Sequence, residues 1–156
     1  MLLLPWFKWF QDTSIGSAIR TSTYWFPFIE VVHLLGLVVL LGPILLVDLR
    51  LLGFGRSRLP VPRVVRAVAP LLLAGIATML ATGLLLLSAE AIKCYDNPAF
   101  WFKMYFLAGA LLFHSTIYFP VAFSTPPGRA ISKITGAVSL ILWFGVALGG
   151  RVIAFL

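Results

Sequence analysis

The chain contains two histidines, and both lie inside long apolar runs. His33 occurs in Glu30-Val-Val-His-Leu-Leu-Gly, and His114 occurs in Ala-Leu-Leu-Phe-His-Ser. An ionisable side chain is costly in the interior of a membrane and usually has a partner there, so each imidazole marks a candidate site. Either residue could simply hydrogen-bond across a helix interface. Since there are two of them and no others, the pattern favours a cofactor that they hold jointly.

The number of available ligands limits which cofactor two imidazoles can hold. Zinc is usually four-coordinate, and Cys94 is the single cysteine, so a zinc or copper site would need Glu30 or other acids to move inward. Haem iron takes at most two axial ligands, and helix bundles often build such sites from facing helices. The chain has no Cys-x-x-Cys-His motif, which excludes c-type attachment. We therefore predict non-covalent haem b with His33 and His114 as axial ligands.

Small residues accompany both histidines. Gly36 lies one helical turn after His33, and Ala110 lies one turn before His114, each on the same helix face as its histidine. These positions predict room for the edge of a porphyrin, although ordinary helix packing explains small residues equally well.

Four apolar stretches must position these residues. The 156-residue chain is 61% hydrophobic and 11% charged, which is far more apolar than a soluble domain. A spanning helix needs about 20 apolar residues, and 24–52, 68–88, 98–122 and 131–153 meet this requirement. Segment 1–20 begins with ten residues too short to span, and we predict an interfacial helix there. The short connections predict one all-α domain, an up-down-up-down four-helix membrane bundle.

The net charge of +7 arises from 12 Lys and Arg against 5 Asp and Glu. Because these charges lie in short loops, they indicate membrane topology and contact with the lipid bilayer, and no nucleic-acid partner is expected. The first loop is the most basic and contains Arg56, Arg58, Arg63 and Arg66. The third has only basic residues, and the second is balanced. The positive-inside rule then places loops one and three in the cytoplasm of a bacterial inner membrane, with both termini on the other side.

The depths of the two imidazoles depend on where the third span begins. His33 lies about 14 Å beyond Tyr24 at 1.5 Å per residue. If Lys103 anchors the third span at the headgroups, His114 lies about 16 Å deep and the two residues match. If that span begins at Pro98, His114 lies about 24 Å deep and the match worsens.

Basic and acidic residues predicted to lie on the non-cytoplasmic side of the membrane extend the predicted site. Arg20, Lys103 and Arg151 are candidates to bind the haem propionates, and Arg151 is the strongest of them, although it could also be a snorkelling anchor. Glu30 lies one turn before His33. Glu30 and Lys103 are the acid–base candidates if the protein is an enzyme.

Two motifs carry a resemblance to known proteins. The first is His33-Leu-Leu-Gly36 followed by Gly42 and Leu49-Arg50-Leu51, and the second is Trp101-Phe-Lys103 followed by ten residues and then His114. Both resemble the HemJ-type protoporphyrinogen oxidase family, more loosely copper-resistance-D-like membrane proteins, and most closely small uncharacterised four-span bacterial membrane proteins. The resemblance implies that His33 is a haem axial ligand and that His114 is its partner.

The chain departs from the HemJ-type pattern around its first span. The family has a Trp-x-Lys run before the first histidine, where this chain has Phe28-Ile-Glu30, and Tyr-Leu-Pro-Arg at the end of the span, where this chain has Leu46-Val-Asp48-Leu-Arg50. The resemblance therefore supports a haem site better than a particular reaction.

We predict a bis-histidine b-type cytochrome that exchanges electrons with a quinone or a redox partner subunit, within a homo-oligomer or a larger complex. Two strong ligands leave no vacant iron position, which favours electron transfer over substrate activation. The first alternative is haem-dependent oxidation of a porphyrinogen. The second is a non-redox metal-binding transporter or assembly subunit.

Overall fold

A computed structural model describes residues 2–54, 60–124, 128–153 and 155 of the chain. Of these residues 90% are helical and none is in a strand. The helices are α1 (Leu4–Gln11), α2 (Ser14–Thr21), α3 (Trp25–Leu52), α4 (Val61–Ala89), α5 (Ala91–Asp96), α6 (Pro98–Phe113), α7 (Phe119–Phe123) and α8 (Arg129–Ile153). A π-helical turn, His114–Tyr118, joins α6 to α7.

Four of these segments are long and apolar enough to cross a membrane: α3, α4, the continuous run Pro98–Phe123, and α8. Their outward faces carry exposed leucine, valine, isoleucine and phenylalanine side chains. The fold is therefore the predicted all-α membrane bundle of a multi-pass protein, with its apolar surface in contact with lipid.

Local sequence signals explain where the spanning helices begin and end. Gly53 ends α3 in the left-handed conformation with φ of 93°, where a side chain would be strained. At the start of α6 the Asn97 side chain accepts the Ala99 N–H, and Pro98 occupies the first turn, where its missing N–H costs nothing. The first, third and fourth spans consequently begin and end close to the predicted positions.

The second span begins at Val61, seven residues before the predicted start at 68. Pro62 suits the first helical turn, and the exposed Arg63 and Arg66 extend the helix past its apolar part. The other two arginines of this loop, Arg56 and Arg58, lie outside the described residues.

The bundle is built around α3, which packs against α4 on one side and α8 on the other, while α8 also packs against α6. Leu40 and Ile44 of α3 form the central core with Ala110, Trp143 and Val146. The ring of spans is completed by contacts between α4 and α7. At the end of the bundle away from α7, near α5, a cavity lies between the α3–α4 pair and the α6–α8 pair.

Glycines allow the closest helix crossings. A Cβ added at Gly75 of α4 would lie 2.8 Å from the backbone N and Cα of Leu40. A Cβ at Gly145 of α8 would overlap the Phe106 ring of α6. Both contacts require a residue without a side chain, as is common where membrane helices cross closely.

The third span is not one regular helix. The Phe119 N–H donates to the His114 carbonyl oxygen five residues back, which widens the turn just before Pro120. Proline cannot donate a backbone hydrogen bond and crowds the preceding turn of a regular helix. The wider turn accommodates it.

The predicted interfacial segment is two helices. Thr13 separates them, and its side chain accepts the Gly16 N–H at the start of α2. Trp6 and Trp9 of α1 are exposed, as expected of an interfacial helix.

The two N-terminal helices form a clamp on the connection between α4 and α6. The Gln11 side chain accepts the Ile92 N–H at 2.8 Å, and Arg20 donates to the Ala89 carbonyl oxygen at 3.4 Å. Gly16 of α2 lies directly against the Ser88 carbonyl. Helices α1 and α2 thus provide hydrogen-bond partners for backbone groups at the end of α4 and the start of α5.

Candidate functional site

The cavity near α5 has a volume of about 340 Å³ and is lined by residues of α3, α4, α5, α6 and α8. His33 of α3 lies in its wall, together with Gly83 of α4, Lys103 of α6 and Gly150 of α8. Ligand pockets typically occupy about 300–1,000 Å³, so this cavity is large enough for a small ligand. We refer to it as the His33 cavity.

One hydrogen-bond chain fixes the tautomer of His33. The Thr82 hydroxyl donates to the Thr78 carbonyl oxygen at 2.6 Å. Its oxygen is then the acceptor in the 2.8 Å contact with His33 Nδ1, so Nδ1 carries the proton. Nε2 is left with its lone pair, and it has no hydrogen-bond partner among the described residues. A neutral imidazole with one nitrogen held as a donor is the form in which histidine binds metals.

Gly83 keeps the wall beside this imidazole flat. A Cβ added there would lie 3.4 Å from His33 Cε1, which is the limit of ordinary contact. A larger residue would stand against the ring.

Lys103 contributes a positive charge to the His33 cavity. Its side chain lies along two glycines of α8: an added Cβ would come within 2.9 Å of the Lys103 Cβ at Gly149 and within 3.5 Å of its Nζ at Gly150. No ion pair of Lys103 occurs in the part of the chain that the structure describes. An anionic ligand would complement this ammonium group.

Acidic and thiol groups also line the cavity. Glu30 is exposed at its edge, and Glu90 pairs with Lys93 at 3.3 Å. Burial raises the pKa of the Cys94 thiol, and the nearby Glu90 carboxylate raises it further. The thiol is therefore protonated at neutral pH.

His114 lies in a different environment. Its Nδ1–H donates to the Ala110 carbonyl oxygen at 2.9 Å, and its Nε2 accepts the Trp143 indole N–H at 3.3 Å. The ring stacks on Tyr118 with centroids 4.2 Å apart, and the residue is 8% exposed. Both ring nitrogens are used within the protein.

The structure does not bring His33 and His114 together. His33 lies eight residues after the start of α3 and His114 sixteen residues after the start of α6, or about 12 Å and 24 Å along their helices. The third span begins at Pro98, which is the case in which the predicted depths disagree. Two axial ligands must contact one iron atom, and this placement does not provide that for the pair.

The other predicted cofactor residues lie outside the His33 cavity. Thr78 fills the space beside Gly36, its methyl group 2.8 Å from an added Cβ, and Ala110 is in the central core. Arg20 caps α4, and Arg151 lies over the Phe155 ring at 4.8 Å. Of the predicted site, only Glu30 and Lys103 share the cavity with His33.

A second polar cluster was missed in the sequence. The Ser139 hydroxyl donates to Asp48 Oδ2 at 2.7 Å and lies 3.4 Å from His114 Nε2. Asp48 and Ser139 are fully buried, and the Tyr118 hydroxyl faces the Asp48 carboxyl. Neither Asp48 Oδ1 nor Tyr118 Oη has a hydrogen-bond partner among the described residues. We call Asp48, His114, Tyr118, Ser139 and Trp143 the polar core.

The polar core does not have the connectivity of a hydrolase triad. In such a triad the serine donates to the histidine and the histidine donates to the acid. Here Ser139 donates to Asp48, and His114 Nδ1 donates to a backbone carbonyl. Within the described residues, no group of three or more His, Cys, Asp or Glu side chains is placed to hold a metal ion.

The family model described as "Family of unknown function (DUF6644)" matches residues 6–156, so both the His33 cavity and the polar core lie inside the match. No curated protein and no solved structure matches the chain.

Proposed function

The chain belongs to the DUF6644 family, whose function is unknown, and from its geometry we propose a membrane protein that binds haem b through His33. The observation that carries this proposal is the hydrogen bond from His33 Nδ1 to Thr82. It leaves the unprotonated Nε2 as the free nitrogen of a residue that lines a cavity. Of the two axial ligands that the sequence predicts, His33 is retained here and His114 is not.

The groups that line the His33 cavity support haem b as its ligand. The porphyrin is flat and apolar, and Gly83 and Gly150 place no side chain at two points of a wall that also contains the apolar Leu86 and Ile153. The propionates are anionic, and Lys103 offers an ammonium group that lies along α8. Thr82 would hold the imidazole in orientation and increase its basicity, as outer-shell partners of metal-bound histidines do. Bound haem would supply one-electron redox chemistry.

The proposed function is electron transfer or oxidation within the membrane, with a quinone or a redox partner subunit as the second reactant. The membrane-capable helices and their apolar outer faces support access by a lipid-soluble reductant. The described lining residues include no second histidine, so His33 would be the one histidine to hold the group, and we expect carbon monoxide to change the spectrum of haem-loaded protein. A homo-oligomer remains part of this proposal.

Absorption spectra of purified protein test the haem assignment. Wild-type protein from haem-replete cells should show a haem b spectrum that changes on reduction with dithionite and again on addition of carbon monoxide. We expect His33→Ala to lose the haem and His114→Ala to retain it at wild-type stoichiometry. A colourless wild-type sample would refute the proposal. Loss of haem in His114→Ala with an unchanged thermal melt would instead restore the two-histidine arrangement.

Porphyrinogen oxidation is the second candidate, because Glu30 and Lys103 line the same cavity as His33. These are the acid–base residues that such a reaction would use. Oxygen- or quinone-dependent oxidation of protoporphyrinogen by the purified protein would support it. Glu30→Gln should then lower turnover while leaving the haem spectrum unchanged, and absence of turnover in a haem-loaded sample would favour electron transfer alone.

We further propose that the protein lies in a bacterial inner membrane with loops one and three in the cytoplasm and both termini outside. The exposed Arg63, Arg66, Arg129 and Lys133 support this orientation. Reporter fusions to residues 54 and 124, compared with fusions to the termini, would report opposite sides of the membrane.

A further inference from the structure

The polar core joins three of the spanning segments far from the His33 cavity. Asp48 comes from α3, His114 from the π-helical turn, and Ser139 from α8. Asp48 follows His33 by fifteen residues on one helix, which is about 22 Å. The cluster is therefore independent of the haem proposal.

We propose that the polar core binds one proton, which moves between His114 and Asp48 through the Ser139 hydroxyl. A carboxylate and a neutral imidazole carry one negative charge between them. One added proton makes the pair neutral as a whole whichever of the two holds it. The interior of a membrane protein favours that state, since an uncompensated buried charge costs far more than a neutral hydrogen-bonded group.

The hydrogen bonds indicate where the proton lies in this structure. His114 Nε2 accepts the Trp143 N–H, so that nitrogen carries no proton. Asp48 Oδ2 accepts from Ser139, so a proton bound to the carboxyl in this arrangement would be on Oδ1. Oδ1 has no partner among the described residues, and neither has the hydroxyl of Tyr118 that faces it.

Ser139 is placed to transfer this proton because its oxygen lies within 3.5 Å of both groups. When His114 Nε2 is protonated, its N–H bond breaks as an O–H bond forms at Ser139. The original Ser139 O–H bond breaks as a new O–H bond forms at Asp48 Oδ2, and rotation of the carboxyl by half a turn then exchanges Oδ2 with Oδ1 and lets Ser139 donate again. No electrons leave the site, and the proton count is unchanged.

Other charged groups at this end of the bundle lie outside the polar core. Arg50 follows Asp48 on α3 and is half-buried, while Arg63 and Arg66 of α4 and Lys133 of α8 are exposed. Their fields act on the site, but Ser139 is the group that hydrogen-bonds to the carboxyl. The π-helical turn that presents His114 and Tyr118 is a feature often found at functional sites.

Infrared spectroscopy of the full chain in lipid vesicles tests the proton site without any cofactor. Among the five acidic residues only Asp48 is buried, so a protonated, water-excluded carboxyl should give one carbonyl-stretch band. We expect this band in wild-type protein at neutral pH and its loss in Asp48→Asn. Absence of the band in wild-type protein, or its persistence in Asp48→Asn, would overturn the proposal.

Transfer through Ser139 has a matched control on the same helix. Ser132 is also buried, but its hydroxyl donates to the Gly128 carbonyl oxygen. We expect Ser139→Ala to slow the deuterium exchange of the Asp48 carboxyl severalfold and Ser132→Ala to leave it at the wild-type rate. Equal exchange in the two variants would refute the relay. This pair of variants also keeps the test usable if Asp48→Asn does not fold.

Discussion

Replacing Gly75 with alanine should separate α3 from α4. The added Cβ would lie 2.8 Å from the Leu40 backbone, whereas ordinary contact begins at 3.4 Å. The helices must therefore move apart by the difference, 0.6 Å (3.4 − 2.8). When two helices separate by about 0.5–1 Å, each contact between them loses roughly a quarter to a half of its dispersion energy.

The size of the effect follows from two opposing contributions. Overpacking typically costs about 1–3 kcal/mol, and replacing a helix-interior glycine with alanine returns up to about 1 kcal/mol. With the full return, we expect Gly75→Ala to lower the free energy of unfolding by about 0–2 kcal/mol, which is about 1–3 kcal/mol below a glycine-to-alanine control that has no overpacking. Gly42 of α3 is the matched control, because nothing lies within 4 Å of its added Cβ. Gly42→Ala should be neutral or slightly stabilising.

Equilibrium unfolding in mixed micelles, followed by helical circular dichroism, measures the difference between the two variants. If Gly75→Ala is as stable as Gly42→Ala, the close crossing of α3 and α4 is absent from the protein. The reasoning about glycine-mediated contacts would then be refuted.

Two further predictions concern the His33 cavity. Thr82→Val removes the acceptor of the His33 Nδ1–H, and haem affinity should fall by about 10–100-fold, measured by haem titration; unchanged affinity would show that Thr82 does not orient the ligand. The pKa of the Cys94 thiol is raised, so the thiol stays protonated through the pH range in which an ordinary cysteine ionises. Alkylation by iodoacetamide should therefore be slow at neutral pH and should increase as the pH rises through and beyond that range. Haem loading should slow the alkylation further, because Cys94 lines the same cavity, and rapid labelling at neutral pH would contradict its burial.

The sequence predicted the number of spans and most of their ends because those depend on local signals. An Asn97-Pro98 start and a glycine at 53 specify helix ends wherever the helix packs. The start of α4 was missed because arginines can lie on a helix that extends beyond the bilayer, and composition alone does not distinguish this from a loop.

The site was predicted only in part because side-chain direction depends on packing. The sequence allowed the third span to begin at Lys103 or at Pro98. Lys103 lies along Gly149 and Gly150 inside the bundle, and the helix begins at Pro98. Asp48 was assigned to the end of a span. Its position one turn after the buried Ile44 and three residues before the buried Leu51 was the available signal that it faces the core.

The N-terminal clamp has a consequence for the biogenesis of the protein. Gln11 and Arg20 bond to groups that lie 81 and 69 residues later in the chain. At about 5–20 residues per second of synthesis, the Gln11 partner emerges roughly 4–16 s after Gln11 itself. Helices α1 and α2 therefore wait undocked while α3 and α4 enter the bilayer. Docking of α1 and α2 on the connection between α4 and α6 is consequently a late, long-range step of assembly.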